Sequence, residues 1–162
     1  MKLTADKVNN FPELQPGDIL LYGDHTPLSW AIRFRTWADV SHVEVYVGNG
    51  RSIAARSDGF KKYPLRMSGL RRVIRPIVPF NFEKGMKWFS FVQGTKYGWL
   101  DLLRFYLVKI PTRGWICSQS ADLFFRNCSL PLFNTHYPSG EVCPGDFEKI
   151  SDLIARQIWS DK

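Results

Sequence analysis

Three features are scarce in this 162-residue chain, and each absence narrows what it can be. It has only three cysteines, Cys117, Cys128 and Cys143, an odd number that cannot pair completely. A chain of this length buries roughly 70% of its unfolded surface and needs no covalent staples. A disulfide scaffold is therefore excluded, and a reducing compartment with a thiol free for chemistry is expected. Long apolar runs are also missing. No uncharged stretch approaches the ~18 residues of a membrane span, since Trp99 to Ile110 is broken by Asp101, Arg104 and Lys109. The opening MKLTADKVNNFPEL lacks the apolar centre of a secretory signal. The expectation is a cytoplasmic or virion-associated protein with no signal peptide and no transmembrane segment. Acidic residues, finally, are in deficit: 15 Asp and Glu face 22 Lys and Arg, for a net charge of +7. That balance favours anionic partners without choosing among phosphates, lipid head groups and acidic polymers. Internal repeats and low-complexity tracts are absent too.

What is present is a core-forming composition, 44% hydrophobic and 15% aromatic, which fits one packed domain over residues 1–162 and excludes general disorder. Pro16-Gly17-Asp18 is a turn signal, and Ile19 to Tyr22 after it reads as a short buried strand. Leu28 to Trp37 reads as a helix, with Thr26 as its cap and Pro27 in its first turn. Val40 to Val47 and Arg51 to Ala55 flank Gly48-Asn49-Gly50, the pattern of an antiparallel hairpin. Alternation puts Val43, Val45 and Val47 on one face, the expected core face, and His42, Glu44 and Tyr46 on the other, which must meet water or a site. Val73 to Ile77 reads as a strand ended by Pro76. Helices are expected over Glu83 to Gln93 and Leu100 to Val108. A last helix is expected from Asp146, with Phe147, Ile150, Ile154 and Ile158 at helical spacing. Strands mostly precede helices, an α+β arrangement.

Ile116 to Arg126 follows the helix breakers Pro111 and Gly114, and positions 117, 121, 124 and 125 share one helical face. Cys117 thus points inward from the first turn of a helix, where the helix dipole favours the nucleophilic thiolate. His42, on the strand face that the valines leave free, is the natural proton acceptor. His25 and His136 lie in loops and read as surface residues; Cys128 and Cys143 read as packing residues. A zinc site from His42, Glu44 and Cys117 has no supporting ligand spacing such as CxxC or HExxH, so neither metal nor cofactor is expected.

The order of these segments is more specific than any one of them. Pro-Gly-Asp-Ile-Leu-Leu-Tyr (16–22), Ser-His-Val-Glu-Val-Tyr-Val-Gly-Asn-Gly (41–50), Lys-Tyr-Gly-Trp-Leu-Asp-Leu-Leu (96–103), Ile-Cys-Ser-Gln-Ser-Ala-Asp-Leu-Phe (116–124) and Cys-Pro-Gly-Asp-Phe (143–147) resemble the circularly permuted papain-like hydrolases of the NlpC superfamily. That group includes the YaeF/YiiX-like bacterial proteins and the lecithin retinol acyltransferase group. Over roughly residues 14–150 the resemblance implies an antiparallel sheet packed against the cysteine helix, Cys117 as nucleophile and His42 as general base. It implies acyl transfer from an amide or ester in a peptide or acylated substrate, such as a cell-wall peptide or an acyl lipid. The family usually carries a third polar residue on the strand after the histidine strand, where this chain reads Ile53-Ala54-Ala55. The candidates for orienting the imidazole are then Ser52, Asp58 and Glu44, the last about 7 Å along the strand from His42. The family's Cys-Ser-Glu is Cys117-Ser118-Gln119 here.

The competing expectation is a papain-like protein that has lost catalysis and serves as a binding or structural component of a phage or envelope assembly. The basic residues Lys61, Lys62, Arg66, Arg71, Arg72 and Arg75 would suit an anionic polymer or a membrane surface. They fit no DNA or RNA motif, so nucleic acid is not an expected partner.

Overall fold

The computed structural model describes residues 11–96, 116–133 and 142–161. The expected helix at Leu100 to Val108, and His136, lie outside them. Six strands form one antiparallel sheet: β1 (Ile19–Tyr22), β2 (His42–Gly48), β3 (Arg51–Arg56), β4 (Gly59–Pro64), β5 (Leu70–Pro76) and β6 (Ala155–Ser160). They lie in the order β4-β3-β2-β1-β5-β6. Among the described residues three α-helices accompany them, α1 (Pro27–Thr36), α2 (Phe82–Val92) and α3 (Cys117–Asn127), with a short 3-10 helix at Pro144–Lys149. The architecture is α+β.

Local chemistry accounts for the first half of the chain. Thr26 Oγ1 accepts from the Ser29 N–H at 3.1 Å, and Pro27 occupies the first turn, so α1 starts where its cap dictates. The β2–β3 hairpin turns at Asn49 and Gly50, both with positive φ (52° and 65°), as a tight hairpin requires. The valine face then becomes core. Val43, Val45, Ile53, Ala55, Ile19 and Leu21 pack against Phe89 of α2 and Ala121, Phe124 and Phe125 of α3. Between these two helices, Gly85 lets the backbone of α2 approach so closely that an added Cβ would lie 2.2 Å from Cys128 Sγ.

The opposite sheet face is not open to water. A second cluster of Leu20, Tyr22, Leu70, Val73 and Trp159 covers part of it, with Phe11, Leu14, Leu65 and Met67 packed around. Sheets buried on both faces lose simple alternation, which is why polar Glu44 ends up fully buried.

The expected last helix is corrected. Pro144 and Gly145 allow only a 3-10 helix ending at Lys149, where Asp146 accepts the Cys143 N–H at 2.9 Å from the third helical position. Residues from Ala155 onward form β6 instead, pairing antiparallel with β5. The helical spacing of Ile150, Ile154 and Ile158 is overridden because β5 would otherwise expose an unpaired edge. Within β6, Ala155 joins the first core cluster and Trp159 the second, on either side of an irregularity in the pairing with β5 between Val73 and Ile74. The chain therefore does not simply run strands first and helices later.

Candidate active site

Cys117 is the first residue of α3, whose packing on β2 and β3 sets it against the start of β2. Gln119 Oε1 accepts the Ile116 N–H at 3.5 Å, and Ser118 Oγ donates to the Val142 carbonyl at 2.7 Å. Gln119 thus ties down the helix entry. The thiol is buried and in hydrogen-bond contact with His42.

His42 is the first residue of β2, and its side chain keeps 16% exposure. Its Nε2 lies 3.1 Å from Glu44 Oε1, which leaves Nδ1 for the thiol. Glu44 sits two residues on, on the same strand face. Side chains bend across the ~7 Å of strand rise that separates their backbones.

The carboxylate of Glu44 is fully buried and heavily compensated. It also accepts from Ser52 Oγ, from Arg56 Nη2 at 2.5 Å, and has Arg66 Nε at 3.8 Å. Ser52 stands opposite Tyr46 in the β2–β3 ladder, so it shares the face of Glu44. Arg56 lies over the Tyr63 ring and Arg66 over the Tyr22 ring, at 4.1 and 4.3 Å from the ring centres. Tyr22, opposite His42 in the β1–β2 ladder, donates its hydroxyl to the Arg66 carbonyl and presents its ring to the imidazole.

The electrostatic consequence is that the imidazolium and the thiolate each favour the other's charged form. Burial alone would lower the His42 pKa, but the Cys117 charge and hydrogen bond, followed by Glu44, outweigh it and raise the value to about 9. Burial alone would raise Cys117; the His42 charge, its hydrogen bond and the N–H groups of Val43 and Ser118 bring the thiol below its ordinary value. Glu44 is likewise held at about 2: His42, Ser52 and Arg56 overcome its burial. The other two thiols behave oppositely. Burial pushes Cys128 and Cys143 up to about 12, with the Asp146 carboxylate adding to the effect at Cys143.

Of the residues expected to orient the imidazole, Glu44 contacts it and Ser52 supports Glu44 from β3. Asp58 does not reach the site: it lies in the β3–β4 turn, where its carboxylate accepts from Tyr63 at 2.5 Å and Lys61 at 3.4 Å. The apolar Ile53-Ala54-Ala55 stretch therefore coincides with a carboxylate supplied from the histidine strand itself. The reading of the sequence missed Arg56, Arg66 and Tyr22. Arg66 was hidden in the basic run, and Tyr22 in a strand that looked uniformly apolar. His25 is exposed.

The basic run is mostly neutralised. Arg66 pairs with Asp24, Arg71 with Asp161, Arg72 with Glu148, and Arg75 with the buried Asp18. Among the described residues, no group of three or more His, Cys, Asp or Glu side chains is placed to hold a metal ion, and no helix is long and apolar enough to cross a membrane.

No protein-family model and no curated protein matches the chain. Solved structures do. The metalloprotein yiiX from Escherichia coli O157:H7, DUF1105, superposes with a TM-score of 0.57 at 17% identity, covering 90% of this chain and 88% of that one. The similarity is one of fold.

Proposed function

We propose that this protein is a papain-like cysteine hydrolase of the circularly permuted NlpC type, cleaving an amide or ester bond through Cys117. The observation that carries the reading is the Cys117–His42–Glu44 relay. It comprises a thiol at a helix start, an imidazole bridging thiol and carboxylate, and a carboxylate buried beyond it. Nucleophile, base and orienting group in hydrogen-bond sequence are the signature of an activated nucleophile. The order of histidine strand before cysteine helix supports the permuted form.

In the reaction, the Cys117 thiolate attacks the carbonyl carbon and the π electrons move onto its oxygen. First-turn N–H groups of α3, which lack intrahelical acceptors, supply the oxyanion contacts. The tetrahedral adduct collapses to a thioester as the His42 imidazolium gives its proton to the departing amine or alcohol. His42 then takes a proton from water, whose oxygen attacks the thioester; the C–S bond breaks, the carboxylic acid is released, and the Cys117 thiolate and His42 imidazolium are restored. Glu44 holds the imidazole with Nδ1 toward the sulfur and stabilises its positive charge, while Ser52 and Arg56 hold Glu44.

A metal, as named for the structurally similar yiiX, does not fit this donor set, because the Glu44 oxygens are already engaged by His42, Ser52 and Arg56. The test is hydrolysis of a panel of peptide amides and acyl esters by the parent chain and by Cys117→Ala. A drop of at least about 10³-fold in the variant is expected. Equal turnover would remove the enzyme reading. A parent chain inert to the panel, with a Cys117 of ordinary reactivity, would leave the fold as a binding protein.

A further inference from the structure

Helix α1 carries an aromatic surface that the proposed catalytic relay does not use. Trp30, Phe34 and Trp37 are 62%, 63% and 89% exposed. They follow one another at helical spacing and stack face to face, with ring centres 5.5 and 5.9 Å apart. Contiguous exposed rings of this size mark an interaction surface. The opposite side of α1, Ser29 and Ile32, is buried, so the stripe is the free face of a docked helix.

Charge beside the stripe identifies the occupant. Residues 27–36 contain no acid. Arg33 lines a cavity of about 90 Å³ together with Asp39, Arg71, Arg72 and Asp161, several times the space one water needs. The carboxylates there are engaged: Asp161 with Arg71 at 2.6 Å, and Asp39 with Arg72 at 3.6 Å. Among the described residues Arg33 has no ion pair, and its Nε and that of Arg71 are buried without a hydrogen-bond partner. An anion is the group that would satisfy both.

We infer that α1 docks the protein on an anionic phospholipid surface. Trp30, Phe34 and Trp37 enter the head-group boundary, and a lipid phosphate or carboxylate is taken up at Arg33. Amphipathic rings flanked by arginine are the chemistry of interfacial helices. The placement is useful because α1 is tied to the residue before His42: Ser29 Oγ lies 2.6 Å from Ser41 Oγ, and the Ser41 N–H donates to the Tyr22 carbonyl. A membrane under α1 would thus lie beside the strand end that bears the imidazole. The inference goes beyond the hydrolase reading and does not need it, since binding is measured without turnover.

The test is co-sedimentation with vesicles of phosphatidylcholine alone and of phosphatidylcholine with phosphatidylserine. Binding is expected only to the anionic vesicles and to weaken with salt. Trp30→Ala/Phe34→Ala/Trp37→Ala should reduce it at least about tenfold, and Arg33→Gln about fivefold. Quenching of the parent chain's tryptophan emission by bromine-labelled lipid checks insertion without any variant. Three results would overturn the proposal: no anionic preference, binding indifferent to the aromatic triple variant, or a concentration-dependent dimer that the triple variant abolishes, which would assign the stripe to a second copy. Inorganic phosphate binding that depends on Arg33, with no vesicle binding, would assign the cavity to a soluble anion and overturn it as well.

Discussion

Replacing Glu44 by Gln isolates what the buried carboxylate does for the imidazole. Gln keeps an acceptor for His42 Nε2 and nearly the same volume, and it removes the charge. The elevation of His42 from 6.5 to about 9 corresponds to a preference of roughly 3 kcal/mol for the imidazolium. Cys117 is the larger of the two raising causes, so loss of the Glu44 charge should cost the smaller share, on the order of 1 kcal/mol. The His42 step should then move down from about 9 by roughly one pH unit or less, and less thiolate should be present below it. Unfolding should also become easier by about 2 kcal/mol, because Ser52 and Arg56 lose a charged acceptor; the partial exposure of Arg56 limits the cost. The assay is iodoacetamide alkylation of Cys117 against pH, read by peptide mass spectrometry. Cys128 and Cys143, both pushed up to about 12, serve as slow references in the same tube. Lower stability with an unchanged Cys117 profile would refute the reasoning and make Glu44 a purely structural residue.

Three further outcomes are expected. His42→Ala removes the cation that offsets burial, so Cys117 alkylation at pH 7 should fall by at least about tenfold; an unchanged rate would mean that the helix start alone activates the thiol. Gly85→Ala places a methyl against Cys128 Sγ and the Phe124 ring and should destabilise by about 1–3 kcal/mol in urea unfolding, whereas a neutral result would show that α2 and α3 separate easily. On acidification, Glu44 has a folded pKa depressed from 4.5 to about 2. Its contribution is therefore complete above about 4.5 and lost as pH falls through about 2. Glu44→Gln should flatten that part of the acid limb of thermal stability, and an unaltered limb would assign it to other carboxylates.

The sequence by itself determined what depends on near neighbours in the chain. Thr26-Pro27 started α1, Asn49-Gly50 turned the hairpin, and the valines of β2 identified its core face. The placement of Cys117 at the first turn of a helix was legible as well, from the breakers before it and the apolar spacing after it. The tertiary structure decided everything that required two distant segments to meet. Ile154 and Ile158 kept a helical spacing but lie at and within a strand-forming stretch, because the β5 edge needed a partner. Glu44 looked too far from His42 along the strand, yet covering the second sheet face buried it, and Ser52, Arg56 and Arg66 gathered around it. A buried charge takes whichever partners the fold brings within reach, and sequence separation does not measure that reach. The same reasoning divides the basic run, whose residues look alike in sequence: Arg66, Arg71, Arg72 and Arg75 found carboxylates from four different segments. Arg33, outside that run and unremarked in sequence, became a guanidinium whose Nε, like that of Arg71, is buried without a hydrogen-bond partner.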